Sequence, residues 1–158
     1  PLSILPETID FVLLTHGHLD HCGWLPKLVN EGFNGKIFCT RPTKEISRLI
    51  LYDSAKIQEE EAKKANEEHF SKHDPAEPLY TESEVDAVIP KFRVVEKDLD
   101  VKLDDDVSLK FFYATHILGP CSIALTIDGK VLVFSGPFLF FTVLVTVVPL
   151  KTYFSFLM

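Results

Sequence analysis

An almost wholly apolar run, Asp10 to Thr15 (DFVLLT), leads without a break into His16-Gly17-His18-Leu19-Asp20-His21. A strand that is apolar on both of its alternating faces is stable only where both are covered, so the chain must build layers around it. The polar cluster then stands at the end of a buried strand, on the rim of a core. Any fold for this chain has to satisfy both demands.

Downstream the pattern alternates. A short helix is expected from about Gly23 to Glu31, closed by Gly32 and Asn34-Gly35, and Lys36 to Thr40 (KIFCT) reads as a second strand. A long helix follows from about Thr43 to Glu68, with apolar Ile46, Leu49, Ile50 and Ile57 at the spacing of an amphipathic helix. Its second half, QEEEAKKANEE, is polar on nearly every face and reads as a solvated helix held by i,i+4 charge pairs. Thr81-Glu-Ser-Glu84 fits a capping box, with Thr81 as N-cap and Glu84 reaching back. Strands are then expected at Lys91 to Val95, Leu99 to Leu103, Val107 to Thr115 and Cys121 to Ile127, with Asp128-Gly129 turning tightly into Val131 to Phe134. Strands at both ends enclosing helices imply a layered α/β architecture.

Composition narrows the class. With 158 residues, 46% hydrophobic and 25% charged, the chain has the length and balance of one globular domain. A formal charge of -7 argues against a generally basic nucleic-acid surface. It leaves room for a local one, because bound divalent cations add positive charge where a phosphate would sit. Three cysteines, Cys22, Cys39 and Cys121, show no paired spacing and suit a reducing cytoplasm. The start, PLSILP, is no signal peptide and lacks an initiator methionine, so the expectation is a chain that begins inside a longer gene product. From Val131 to Leu150 no residue is charged. That length suits a membrane span, but Gly136-Pro137 and Pro149 interrupt it, and a core strand at Val131 to Ser135 followed by an apolar tail is the preferred reading.

The six-residue cluster carries the chemistry. Imidazole and carboxylate are the ligands a borderline divalent ion such as zinc prefers. On an extended stretch His16 and His18 point the same way and can share one ion, while Asp20 and His21, where the chain bends into a helix, can face a second. Gly17 is expected to let the backbone pass close to the metals. The bland alternative, a solvated histidine-rich loop, suits a lone histidine better than H-x-H-x-D-H after a strand. His116, in YATHILG, also ends a strand. Alone it would read as structural; beside the first motif it is a candidate third protein ligand of the first ion, leaving the open position a catalytic zinc keeps for water. His69 and His73 read as surface residues, and Cys22 as a small packing residue rather than a ligand or nucleophile.

The H-x-H-x-D-H motif resembles the signature of the metallo-β-lactamase fold superfamily. More narrowly, the chain is similar to its β-CASP branch of RNA- and DNA-processing nucleases, which includes ribonuclease J and the cleavage-and-polyadenylation endonuclease. The similarity is carried by THGHLDHCGWLPKL (15–28), LILYDSAKI (49–57), VDAVIPKF (85–92), Phe112 to Ile123 and VFSG (133–136), and it covers about Ile9 to Gly136. The resemblance implies part of an αββα sandwich in which His16, His18 and His116 hold one zinc and Asp20 and His21 the other. It further implies a hydroxide between two metals that attacks phosphorus, oriented by Asp20, so that Asp20 and His21 count as catalytic.

The sequence also departs from that pattern. The branch has G-H-I-L-G-S around its third histidine; here Thr115 and Pro120 replace the outer residues. It also has S-G-D, the aspartate bridging both metals, where this chain has Ser135-Gly136-Pro137. The strands expected before the motif, the β-CASP domain and the later histidines are missing. The expectation is a partial metallo-β-lactamase domain over 1–136, truncated at both ends, and an unmatched tail over 137–158 that arose by a frame error or aberrant junction. The leading function is a zinc phosphodiesterase acting on single-stranded RNA, with two zinc ions in the parent enzyme, of which this chain holds one well. The second is a small-molecule hydrolase of the same fold, a thioesterase or lactonase, which the LILYDSAKI and VIPKF segments disfavour. The third is an inactive fragment with residual metal binding. A membrane partner is not favoured.

Overall fold

The computed structural model describes residues 4–113, 121–134 and 146–148. Along the chain the first elements are β1 (Phe11–Leu13), α1 (Leu19–Cys22), α2 (Leu25–Asn30), β2 (Lys36–Cys39), α3 (Arg41–Glu68) and α4 (Glu82–Val88). Six strands follow: β3 (Phe92–Val94), β4 (Asp100–Asp104), β5 (Val107–Tyr113), β6 (Cys121–Ile127), β7 (Lys130–Phe134) and β8 (Thr146–Val148).

The strand that constrains the sequence sits where its composition demands. Side chains alternate along a strand, and those of β1 divide between two cores. Phe11 and Leu13 pack with Phe38, Leu109, Phe111, Ile123 and Leu125, whereas Val12 and Leu14 pack with Leu28, Ile37, Leu51, Val85 and Phe92. The first core lies between two sheets and the second between a sheet and the helices. The first sheet runs β3-β2-β1-β8, parallel except for the β1–β8 pair. The second is an antiparallel meander, β4-β5-β6-β7. Helices, sheet and sheet make the layered α/β arrangement that was expected of a partial αββα sandwich. Among the described residues no helix is long and apolar enough to cross a membrane.

Three local expectations change. The helix expected over Gly23 to Glu31 forms as α2, Leu25–Asn30, and a separate short helix, α1, precedes it; Pro26, which has no N–H to donate back to the preceding turn, sits in the first turn of α2 and keeps the two apart. The apolar spacing in α3 marks the inward face only in part, since Ile50 packs against the helix-side core. Leu49 and Ile57 are 68% and 47% exposed, and the buried line is Thr43, Ser47, Leu51, Ala55 and Ala65. Ser47 stands where α3 comes close to Gly17 of the histidine loop. Finally, among the described residues β7 is an edge strand rather than a core strand, with Val131 and Val133 59% and 66% exposed.

The polar half of α3 does more than meet solvent. Lys63–Glu67 and Lys64–Glu68 are the expected i,i+4 pairs. In addition Asn66 donates to the carbonyl of Ala76 and accepts from its N–H, and Gln58 accepts from the N–H of Leu79. The loop before α4 is thereby tied to the helix. At α4 the capping box forms: Glu84 N–H donates to Thr81 Oγ1 at 3.4 Å and Thr81 N–H to Glu84 Oε2 at 2.7 Å. Thr81→Ala removes the cap and is expected to lower unfolding free energy by about 1 kcal/mol in urea titrations. The hairpin at Asp128-Gly129 also forms, with φ of 50° and 73° in the left-handed region a tight two-residue turn requires.

Candidate metal centre

The cluster is placed by the end of β1 and the start of α1. Leu14 N–H donates to the carbonyl of Phe38, holding the chain to β2 one residue past the strand. The carbonyl of Thr15 then accepts from Cys121 at the head of β6, by N–H at 3.1 Å and by Sγ at 3.2 Å. The loop is so anchored to both sheets. His18 remains extended, with φ -66° and ψ 150°, and its carbonyl accepts the N–H groups of His21 and Cys22 at 3.0 Å each, which starts α1.

Gly17 passes close to α3. A Cβ there would meet Ile46 Cγ2 and Ser47 N, both at 2.9 Å. The second of these is helix backbone and cannot swing aside.

This path brings three of the expected ligands together. The ring of His16 lies 4.8 Å from that of His18, edge-on, and 4.0 Å from that of His21. His21 Nε2 stands 3.4 Å from Asp20 Oδ2, whose side chain is 78% exposed. His16 is 5% exposed. Burial, then the neighbouring His21 and His18, lower its pKa to about 4 against a smaller opposing pull from Asp20. Near neutral pH it is therefore uncharged, the form in which an imidazole can ligate a metal. Among the described residues no group of three or more His, Cys, Asp or Glu side chains is already closed around one point. The donor set itself, three imidazoles and a reachable carboxylate on one rim, fits a divalent ion such as zinc.

His116 lies outside the described residues, as do Gly136 and Pro137. His69 ends α3 in the left-handed conformation, φ 53°, and with His73 is exposed, as expected of surface residues. Cys22 is fully buried, its Sγ donating to the Gly17 carbonyl at 3.5 Å, and burial pushes its thiol up to about 11. A thiol so held packs the loop and is no nucleophile at neutral pH. Two residues with a direct hand in the site were not read from the sequence: Thr15, whose Oγ1 is 3.0 Å from His16 Nδ1, and Cys121. A hydroxyl residue immediately before the first histidine was the available signal for Thr15.

A buried strand ending in this histidine loop, between helices and a second sheet, matches one family along its whole length. The model of the metallo-beta-lactamase superfamily covers residues 2–156, and the chain belongs to that superfamily. Ribonuclease TTHA0252 of Thermus thermophilus is 32% identical over 136 residues, 86% of this chain and 27% of that protein. Integrator complex subunit 11 of Danio rerio is 29% identical over 85% of this chain and 21% of its own length. Transcription termination factor FttA of Methanocaldococcus jannaschii is 29% identical over 72% of this chain and 16% of its own. A subclass B3 metallo-beta-lactamase from a soil metagenome library superposes with a TM-score of 0.46 at 17% identity, covering 84% of this chain and 42% of that one. The chain thus spans about a quarter or less of the length of the first three relatives. The resemblance read from the histidine motif, to the superfamily and its β-CASP branch, is borne out by the family model and these three relatives.

Proposed function

We propose that this chain is the metal-holding part of a zinc-dependent phosphodiesterase that cleaves single-stranded RNA. The observation that carries the reading is the convergence of His16, His18 and His21 beside Asp20 at the end of β1. The relatives named as a ribonuclease and as a transcription termination factor support RNA as the substrate. His16 and His18, with His116, would hold one zinc; Asp20 and His21 would hold the other. Bound zinc supplies a nucleophilic water near neutral pH and positive charge opposite the phosphate oxygens. The chain's own part is to present neutral His16 from the buried side and the exposed carboxylate of Asp20 from the open side, where it orients the attacking water by accepting its proton in a hydrogen bond. The -7 net charge leaves phosphate attraction to the metal-bearing rim.

Residues 1–136 are the partial domain in this reading, with 137–158 departing from the branch pattern; the nucleotide sequence around codon 136 tests that division. The buried free thiols of Cys22, Cys39 and Cys121 support a reducing, cytoplasmic setting. With Pro137 where the branch has its bridging aspartate, the second site lacks a ligand. Elemental analysis of the purified chain is therefore expected to find about one zinc per chain, and two tightly held equivalents would contradict this account of Pro137. The function itself is tested by offering the zinc-loaded chain labelled single-stranded RNA, a thioester and a lactone side by side. Cleavage of RNA alone, lost on chelation, is the expected result. Turnover of the small esters with RNA left intact overturns it.

A further inference from the structure

The contact between Thr15 and His16 bears on which nitrogen of His16 meets a metal. Both residues are buried, Thr15 3% and His16 5% exposed, and Thr15 Oγ1 lies 3.0 Å from His16 Nδ1. A neutral imidazole carries one proton, on one ring nitrogen, and its lone pair on the other. With Nδ1 engaged by the hydroxyl, only Nε2 remains to ligate, and it can do so only when Nδ1 holds the proton. The hydroxyl is itself kept in place. The Thr15 carbonyl receives both the N–H and the Sγ of Cys121, and β1, which ends two residues before it, is buried on both faces. The His16 ring has little freedom to turn away, since the rings of His18 and His21 stand 4.8 and 4.0 Å from it.

We propose that Thr15 is a positioning residue that fixes the tautomer of His16: Nδ1–H donates to Thr15 Oγ1, and Nε2 is thereby reserved as the metal-binding atom. Both the tautomer and its consequence for zinc rest on the reading of His16 as a ligand, because a hydroxyl can donate to Nδ1 as well as accept from it. Thr15→Val removes the hydroxyl while keeping the branched shape; Thr15→Ser keeps the hydroxyl. Two measurements on the full 158-residue chain decide the matter. Long-range proton–nitrogen NMR of the metal-free protein is expected to show His16 as the Nδ1–H tautomer in the wild type and Thr15→Ser, and as a mixture in Thr15→Val. Competition with a chromogenic chelator is expected to show zinc binding about 10- to 100-fold weaker in Thr15→Val, with the serine variant retaining most of the affinity.

A wild-type His16 protonated on Nε2 overturns the proposal, as does a folded valine variant with undiminished zinc affinity. A wild type that binds no zinc sinks the metal reading, and the tautomer spectrum then still decides the role of Thr15. Should Thr15→Val fail to melt cooperatively, the wild-type tautomer and the serine variant determine whether the hydroxyl holds the proton on Nδ1.

Discussion

Replacing His18 with alanine is expected to abolish RNA cleavage while leaving the fold intact. The expected loss is about a thousandfold or more, because without its metal a hydrolase must draw on water of pKa 15.7 in place of one near 7. His18 is exposed and sits at the N-cap of α1 with no side-chain hydrogen bond to the helix. The carbonyl that starts α1 belongs to its backbone and survives the substitution. Thermal unfolding of metal-free His18→Ala is therefore expected to differ from that of the metal-free wild type by no more than about 0.5 kcal/mol. A variant that is folded, poor in zinc and inactive on RNA meets the expectation. Undiminished cleavage by a folded, zinc-poor His18→Ala chain would remove the metal from the proposed chemistry, and equal cleavage with full zinc content would remove His18 from the ligand set.

The same substitution shows what could be read from sequence. His16, His18, Asp20 and His21 lie within six residues, so their meeting is a matter of local geometry, and a strand running into a helix start brings the three rings together. The doubly covered strand was equally legible, because an apolar run without alternation has no solvent face to offer. The capping box and the Asp128-Gly129 turn are local in the same sense. What was not legible depends on approach between distant segments. The inward face of α3 carries Ser47 where Gly17 of the histidine loop comes close, with Thr43, Leu51 and Ala55 on the same side, whereas apolar periodicity also pointed to Leu49 and Ile57, which meet solvent. Cys121 reaches Thr15 across 106 positions of sequence, and nothing near either residue announces the contact. Whether β7 is central or an edge likewise depends on which strands flank it, not on its own apolar residues.

Gly17→Ala should be the more telling substitution for the frame of the site. Unlike His18→Ala it removes no donor atom, so any loss of zinc must come from geometry. The added methyl would sit 2.9 Å from Ile46 Cγ2 and 2.9 Å from Ser47 N. The isoleucine can rotate, but Ser47 N is part of α3, and α3 is packed through Leu51 and Ala55 into the core shared with β1 and β2. The loop has to yield instead. It is pinned at Thr15 by Cys121 and at His18 by the first turn of α1, so the displacement falls on the residues between, His16 included. Overpacking of this kind costs about 1–3 kcal/mol, which chemical denaturation will register as a lower midpoint with unchanged slope. A ligand ring moved by even a fraction of an ångström leaves tetrahedral geometry, and zinc affinity is expected to fall by about 10-fold or more, as it does when outer-shell support is lost. The two effects should appear together. Full stability with full zinc affinity in Gly17→Ala would mean that α3 and the loop are not held as closely as the 2.9 Å approaches imply. Lost stability with zinc affinity intact would mean that α3, rather than the histidine loop, gives way.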